Sequence, residues 1–385
     1  MVVIVFLLQK SNFTIFQKNG CIYFLHTVFL FQNLIQSAMV QVKKLGVILD
    51  KTALIFENEG VLNPAVIKEG EHVHVFYRAV SKGNFSTIGY CRLKGPTEIE
   101  MRMDKPLINA DLDYESHGVE DPRIVKIDDT YYMTYTGYDG INALGCLAVS
   151  KDMIHWDKKG PIVPRITYDE FVRLTKIKGV IKNKYYRLNQ HENILPKDRD
   201  KMLLWDKNVV FFPRRINGNL YFIHRIKPGI QIVSGIKDIT DLTPEFWENY
   251  LIHLDENTLI NPKYDHERNY IGGGCPPIET EHGWMMVYHG VHESLNGYVY
   301  CACVVLLDLE DPRKEIARLP YGLFRPDQEW ELTGYVHNVC FPSGAAVFGD
   351  DLYIYYGAAD ERIACAVVSM SELMQELLNS NQEIK

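Results

Sequence analysis

Hydrophobic and polar positions alternate with period two in five short stretches of the chain. These are EGEHVHVFYRA (69–79), DDTYYMTYTG (128–137), NGNLYFIHRI (217–226), EHGWMMVYHG (281–290) and GDDLYIYYGA (349–358). Alternation rich in Tyr, Val, Phe and Trp predicts half-buried strands, and the Gly, Asp and Asn pairs suit hairpin turns. Aligned on Tyr77, Tyr135, His224, Tyr288 and Tyr356, the stretches recur about every 60 to 70 residues, with one interval of about 90. A proline lies upstream of each: Pro64, Pro122, Pro213, Pro277 and Pro342. The pattern predicts an all-β chain folded as a five-bladed β-propeller of four-stranded blades, since radial closure removes long exposed edges. An ordinary β-sandwich with coincidental aromatic strands is the alternative. Only SELMQELLNS reads as an amphipathic helix, so a short C-terminal helix is expected.

Two segments break the pattern. Residues 1–38 are apolar, with Lys10 and Lys18 their only charges, and the apolar run is interrupted by QKSNF and QKNG. A signal peptide opens on a basic region, which is missing, and no clean ~20-residue span exists. The expectation is that Met39 is the biological start and that 1–38 is upstream translated sequence. An atypical export signal or a membrane anchor is the alternative. The second segment, roughly 166–206, is a polar, basic insertion within a single domain running from 39 to 385. It reads as a lid, an oligomer contact or plain decoration.

Composition narrows the function classes. The 385 residues carry 41 Lys and Arg against 49 Asp and Glu, a net charge of −8. With no basic block, nucleic acid and anionic membrane are poor partners, although a local basic pocket is still allowed. The eight cysteines are scattered without a CxxC pair. They read as small buried hydrophobes in a reducing compartment, which points to the cytoplasm. No zinc pattern, P-loop, GxSxG or dinucleotide fingerprint occurs, so no metal and no cofactor are expected.

The repeat places candidate chemistry. After the aligned aromatics come Arg78, Thr136, Arg225, His289 and Gly357, and symmetry would bring the cationic members to one channel. Such a group needs water or an anionic ligand to offset repulsion. The prolines mark a second row, with Asn63 before Pro64 and with Glu120, Asp121 and Arg123 packed into GVEDPR. Arg123 beside a carboxylate also suits a structural ion pair. Glu279, two residues after Pro277, enters the same rim by repeat position. Two carboxylates facing one funnel, ~6.5–9.5 Å apart, are the equipment of inverting glycoside hydrolysis. The 23 Tyr and 5 Trp residues suit sugar stacking, though core packing explains most of them equally well.

At these residues the chain resembles a known family. GVEDPRIVKIDDTYYMTYTGYDG, NVVFFPRRINGNLYFIHR, YIGGGCPPIETEHGWMMVYHGV and FPSGAAVFGDDLYIYYGAAD are similar to glycoside hydrolase family 130 over roughly 45–370. That family holds mannoside phosphorylases and β-mannosidases on a five-bladed propeller. The resemblance implies that Asp121 is the general acid, acting through a hydroxyl of the mannosyl unit. It implies that Asn63, Arg78 and Asp360 hold that unit and that Lys207 and Arg225 match phosphate-binding positions. At a third phosphate position the phosphorylases have Lys in PPIKT, whereas this chain has Glu279 in PPIET. A carboxylate ~4 Å from phosphate repels it by about 4 kcal/mol per unit charge at an effective dielectric near 20. The expectation is therefore an inverting β-mannosidase, acting on β-1,2-linked mannosides, with Asp121 giving the proton and Glu279 activating water. Asn63, Arg78, Glu120, Arg123 and Asp360 place the sugar; Lys207, Arg225 and His289 shape the rim. A second acid among Asp238, Glu245, Glu248 and Glu267 stays open. So do two rivals: a phosphorylase using inorganic phosphate to make mannose 1-phosphate, and a non-catalytic sugar-binding propeller. The expected partner is a β-mannoside oligosaccharide, with a homo-oligomer left open.

Overall fold

The computed structural model describes residues 40–179, 181–190, 201–295 and 297–380. The leader question at 1–38, Cys21 and residues 191–200 of the insertion lie outside the described residues. The chain is mostly β with a C-terminal helix, and its strands fall into five successive units. After β1 (Lys43–Leu49), unit one holds β2 (Gly60–Glu69), β3 (His72–Ser81), β4 (Phe85–Lys94) and β5 (Glu98–Arg102). Unit two holds β6 (Gly118–Ile127), β7 (Thr130–Tyr138), β8 (Ala143–Ser150) and β9 (Asp157–Pro161). Unit three holds β10 (Lys207–Phe211), β11 (Leu220–Arg225), β12 (Ile230–Ile236) and β13 (Thr258–Ile260). Unit four holds β14 (Tyr270–Gly273), β15 (Ile278–Thr280), β16 (Gly283–Ser294), β17 (Gly297–Leu307) and β18 (Glu315–Arg318). Unit five holds β19 (Cys340–Phe348), β20 (Asp351–Ala358) and β21 (Arg362–Ser369), with β1 paired antiparallel to β21 as its fourth strand.

Within each unit the pairing is an antiparallel meander, and units one and two are linked by one parallel bridge between Ser86 and Gly118. Tight turns make the hairpins: Asn217 and Gly218, joining towards β11, both have positive φ, as a two-residue primed turn requires. The core lies between neighbouring sheets. Phe76 and Ile88 of unit one pack with Val119 and Met133 of unit two. Val210 and Ile223 of unit three pack with Met286 and Trp284 of unit four, and Val75 of unit one packs with Tyr355 of unit five. Each such fully buried side chain contributes about 1.5–3 kcal/mol. Among first strands, β2 packs on β6, β6 on β10, β10 on β14 and β19 on β2, while β16 meets β19.

The helices exceed the expectation of a single one. Besides the C-terminal helix (Met370–Ser380), helices form at Tyr168–Thr175, Asn183–Asn189, Pro244–Ile252 and Glu329–Leu332. The first two belong to the insertion, and their apolar side is no decoration. Phe171, Leu174 and Tyr185 are buried with Trp247 and Leu251 of the Pro244–Ile252 helix. That helix opens on Thr243, whose side chain accepts from the Phe246 N–H, with Pro244 at the first position, a strong start signal. Among the described residues no helix is long and apolar enough to cross a membrane. The seven described cysteines are all buried and unbonded.

A second repeat emerges that alternation does not reveal. In units one, three, four and five the aligned residue reaches a fully buried acid just upstream. Tyr77 Oη donates to Glu57 at 2.8 Å, Tyr356 Oη to Glu331 at 2.6 Å, and Tyr288 Oη to Glu267. In unit three His224 Nδ1 meets Asp206 at 2.7 Å instead. The outermost strand then supplies a cation: Arg102 to Glu57 (2.9 Å), Lys158 to Glu115 in unit two, Arg318 to Glu267 (3.3 Å) and Lys44 of β1 to Glu331 (2.6 Å). Units one, four and five are thus pinned from the second strand to the edge. An acid at zero exposure is tolerated there because hydrogen bonds and a cation meet its charge.

Candidate active site

The residue after each pinning aromatic points to the opposite face of its strand. Pairing puts Arg78 opposite Leu62, Thr136 opposite Glu120, Arg225 opposite Lys207, His289 opposite Gly272 and Gly357 opposite Phe341. The five positions are equivalent in the five sheets. Next to them the first strands bulge: the register slips between Leu62 and Ala65, Glu120 and Arg123, Lys207 and Val210, and Pro342 and Gly344. In three units the bulge residue is left-handed, Asn63 (φ 49°), Asp121 (φ 50°) and Asn208 (φ 55°). Asn and Asp tolerate that region best among residues with a side chain, and a bulge re-aims the side chain it carries. Gly357 makes room for this: a Cβ there would come within 2.1 Å of Asn63 Oδ1.

The bulges gather the charges. Asn63 Nδ2 donates to Asp121 Oδ1 at 2.7 Å, and Arg78 Nη1 lies 3.8 Å from the same oxygen. Arg78 Nη2 pairs with Glu120 at 2.9 Å, and Lys207 Nζ faces the other Glu120 oxygen at 3.6 Å. Burial pushes the Asp121 carboxyl up, but Arg78, Arg123, Lys207 and the Asn63 hydrogen bond outweigh it, so its pKa ends below the ordinary value. Asp360, left-handed at φ 52°, goes the other way. Burial raises it to about 6, helped by Asp121 and Glu120 and opposed by Arg78 and Lys207. Arg123 is a brace behind the bulge. Its Nε donates to the Gly274 carbonyl at 2.6 Å and its Nη1 to the carbonyls of Asp121 and Pro122.

Arg225 Nη1 faces His289 Nε2 at 3.5 Å, and the Arg225 Nε has no hydrogen-bond partner among the described residues. His289 is fully buried, its ring centroid 4.5 Å from that of Phe341. Burial first, then Arg225, Arg123 and Lys227, drives its pKa well below the usual imidazole value. It is neutral at pH 7 and therefore not one of the cations of the row.

Glu279 is not in this group. It sits on β15 opposite Trp284, five residues along β16 from His289, or about 17 Å at strand rise. Its two oxygens are held by Arg214 Nε and Nη2, each at 2.7 Å, which lowers its pKa on an exposed edge. The proline alignment misplaced it. In unit three the bulge residue is Asn208, with no proline beside it, and in unit four the Pro276–Pro277 pair falls outside β14. The other acids held open lie elsewhere too. Asp238 caps a turn through Thr240, Glu248 faces Arg173, Glu245 sits in the first turn of its helix, and Glu267 is a pin. Missed by the proline row was Asn208, whose signal is its place one residue after Lys207 in register with Asn63.

With this geometry in hand, comparison with known proteins places the chain. A family profile described as beta-1,4-mannooligosaccharide phosphorylase matches residues 53–379. The chain belongs to glycoside hydrolase family 130. It is 33% identical over 350 residues to a 1,2-beta-oligomannan phosphorylase of Thermoanaerobacter sp. (strain X514), covering 87% of this chain and 99% of that one. It is 36% identical over 336 residues to a beta-1,2-mannobiose phosphorylase of the same organism, covering 83% and 93%. The fold is similar to that of a beta-1,2-mannobiose phosphorylase from Listeria innocua, solved with beta-1,2-mannobiose, at TM-score 0.63 and 21% identity over 88% of this chain and 99% of that one. These relatives overturn the expectation of hydrolysis, which rested on Glu279 entering the site. The carboxylate chosen to activate water is an edge ion pair.

Proposed function

We propose that the protein is an inverting β-mannoside phosphorylase that moves a mannosyl unit from a β-1,2-linked mannoside to inorganic phosphate. In the same reading the five units close into a five-bladed propeller whose first strands surround the charged cluster. The observation that carries the proposal is the charge balance beside Asp121. Lys207 acts on Asp121, Arg225 lies opposite Lys207 and among the described residues keeps an unpartnered buried N–H, and Glu279 is absent from the group. A site whose Glu120 is already paired with Arg78 and Lys207, and whose cations outnumber its carboxylates, suits an anionic nucleophile.

In this reading Asn63, Arg78 and Asp360 hold the mannosyl unit, and Lys207 and Arg225 hold phosphate. A phosphate oxygen bonds to the anomeric carbon while the glycosidic C–O bond breaks. The bonding pair leaves on the glycosidic oxygen, which takes the Asp121 proton, and mannose 1-phosphate departs with inverted configuration. Arg78, Arg123 and Lys207 depress Asp121 in the free protein. A phosphate dianion among the cations offsets that effect and raises Asp121 towards the range of a proton donor. Phosphate is a co-substrate and no other cofactor is needed. The seven buried thiols support a reducing, cytoplasmic setting.

The test is incubation with β-1,2- and β-1,4-mannobiose, with and without phosphate. Phosphate-dependent formation of mannose 1-phosphate from the β-1,2 disaccharide is expected. Release of free mannose at the same rate without phosphate overturns the proposal.

A further inference from the structure

Lys227 lies two residues beyond Arg225, just past the end of β11, and nothing so far has used it. Its Nζ sits 4.3 Å above the centroid of the Tyr270 ring, and the Arg225 guanidinium lies 5.6 Å from the same centroid. Two cations therefore share one aromatic ring beside the neutral His289. Among the described residues no carboxylate approaches the Lys227 ammonium closely enough for an ion pair. Its backbone is fixed, with the Lys227 carbonyl accepting from Asn189 Nδ2 of the insertion at 2.7 Å. Arg225 and Lys207 act on Lys227 directly, and the charged cluster as a whole sets Arg78, Arg123, Lys207, Arg225 and Lys227 against Glu120, Asp121 and Asp360, five basic groups against three acidic.

We propose that Lys227 is a third cationic ligand of the phosphate subsite, closing on an inorganic phosphate dianion together with Arg225 and Lys207. The proposal rests on the phosphorylase reading and deepens it. A partly buried ammonium without a counter-ion is costly, and so is its proximity to Arg225. A dianion between the two removes both costs and matches the surplus of two positive charges that the cluster carries once Lys227 is protonated. The Tyr270 ring supplies the interim support through its π face. Burial first, then Arg225 and Lys207, pulls the ammonium down to about 7, so an arriving anion restores its charge. The insertion also gains a use, because Asn189 holds the Lys227 carbonyl from the Asn183–Asn189 helix.

The experiment measures phosphorolysis of β-1,2-mannobiose against phosphate concentration, and separately against disaccharide concentration, for the wild type, Lys227→Met and Lys227→Arg. Loss of one charge-assisted contact is expected to raise the KM for phosphate roughly 10- to 100-fold in Lys227→Met, with the KM for the disaccharide little changed. Lys227→Arg should restore most of the phosphate affinity. A lysine that merely supports the fold would move both KM values or neither. Isothermal titration with inorganic phosphate alone gives a readout independent of turnover, and the same loss is expected there. If Lys227→Met fails to fold, Lys227→Gln carries the same comparison. Unchanged phosphate affinity in an enzyme that does require phosphate overturns this inference and leaves the phosphorylase reading standing. A wild type that needs no phosphate overturns both.

Discussion

Two sets of buried charges occupy adjacent residues of the same strands, and they behave differently. On one face Tyr77, His224, Tyr288 and Tyr356 meet acids that are also held by backbone or by an edge cation. Glu331 accepts from Tyr356, from Lys44 and from the N–H groups of Asp327 and Gln328. On the other face the next residues line the candidate site. There Asn63 Oδ1, Asn208 Oδ1, Arg123 Nη2, Arg225 Nε and His289 Nδ1 have no hydrogen-bond partner among the described residues. The first set repeats its acid-and-cation logic in units one, four and five; the second differs from unit to unit, as Arg, Thr, Arg, His and Gly. Well-paired acids hold sheets together, whereas partly satisfied groups keep capacity for a ligand.

This contrast predicts variants whose effects separate. The largest effect belongs to Asp121→Asn, which removes the proton donor and should cut turnover by roughly 10²- to 10⁴-fold. Its urea midpoint should move little; retained turnover removes Asp121 from the role of proton donor. Next comes Glu331→Ala, which leaves Lys44 and Tyr356 without their buried acid. A loss of about 3–5 kcal/mol in unfolding free energy is expected, with turnover per folded molecule kept. A loss under about 1 kcal/mol breaks the idea that the pins carry stability.

Asp360 gives the pH-dependent case. Its folded pKa of about 6 stands above the ordinary 3.8, so the folded protein binds the extra proton between those values. Its stabilising contribution is full below about 3.8, declines as pH rises to 6 and stays lost above that. Asp360→Asn lacks the decline. Between pH 4 and 7 the wild type should lose on the order of 3 kcal/mol relative to the variant. Parallel stability curves for the two proteins contradict the raised pKa. The smallest effect is expected from Glu279→Ala, an exposed pair with Arg214 worth about 1 kcal/mol or less. Turnover should be unchanged, and a large drop restores Glu279 to the chemistry.

Alternation exposed the five second strands because a half-buried strand writes its period directly into residue type. The same alignment led to Arg78, Thr136, Arg225, His289 and Gly357, since one register governs both faces. Proline was a poorer guide. It marks the bulge in units one, two and five, but the bulge needs only a residue that accepts positive φ, and Asn208 does so without proline. In unit three the proline row marks Pro213 instead of Asn208, and in unit four it marks Pro277, from which Glu279 was placed on the rim. The pinning acids were illegible because a lone Glu in a loop looks like a surface charge until the strand that covers it is placed. The helices at 168–175 and 183–189 were hidden by their charged outer side, although Phe171, Leu174 and Tyr185 bury the other.

The pairing of β1 with β21 bears on how the chain is made. Lys43–Leu49 leaves the ribosome long before its hydrogen-bonding neighbour Arg362–Ser369. Until that neighbour is made the strand stays solitary, and for most of that time Lys44 has no Glu331 to neutralise. The final sheet therefore acts as a latch, and early release or a shortened beginning exposes the unsealed edge of β21 to other chains.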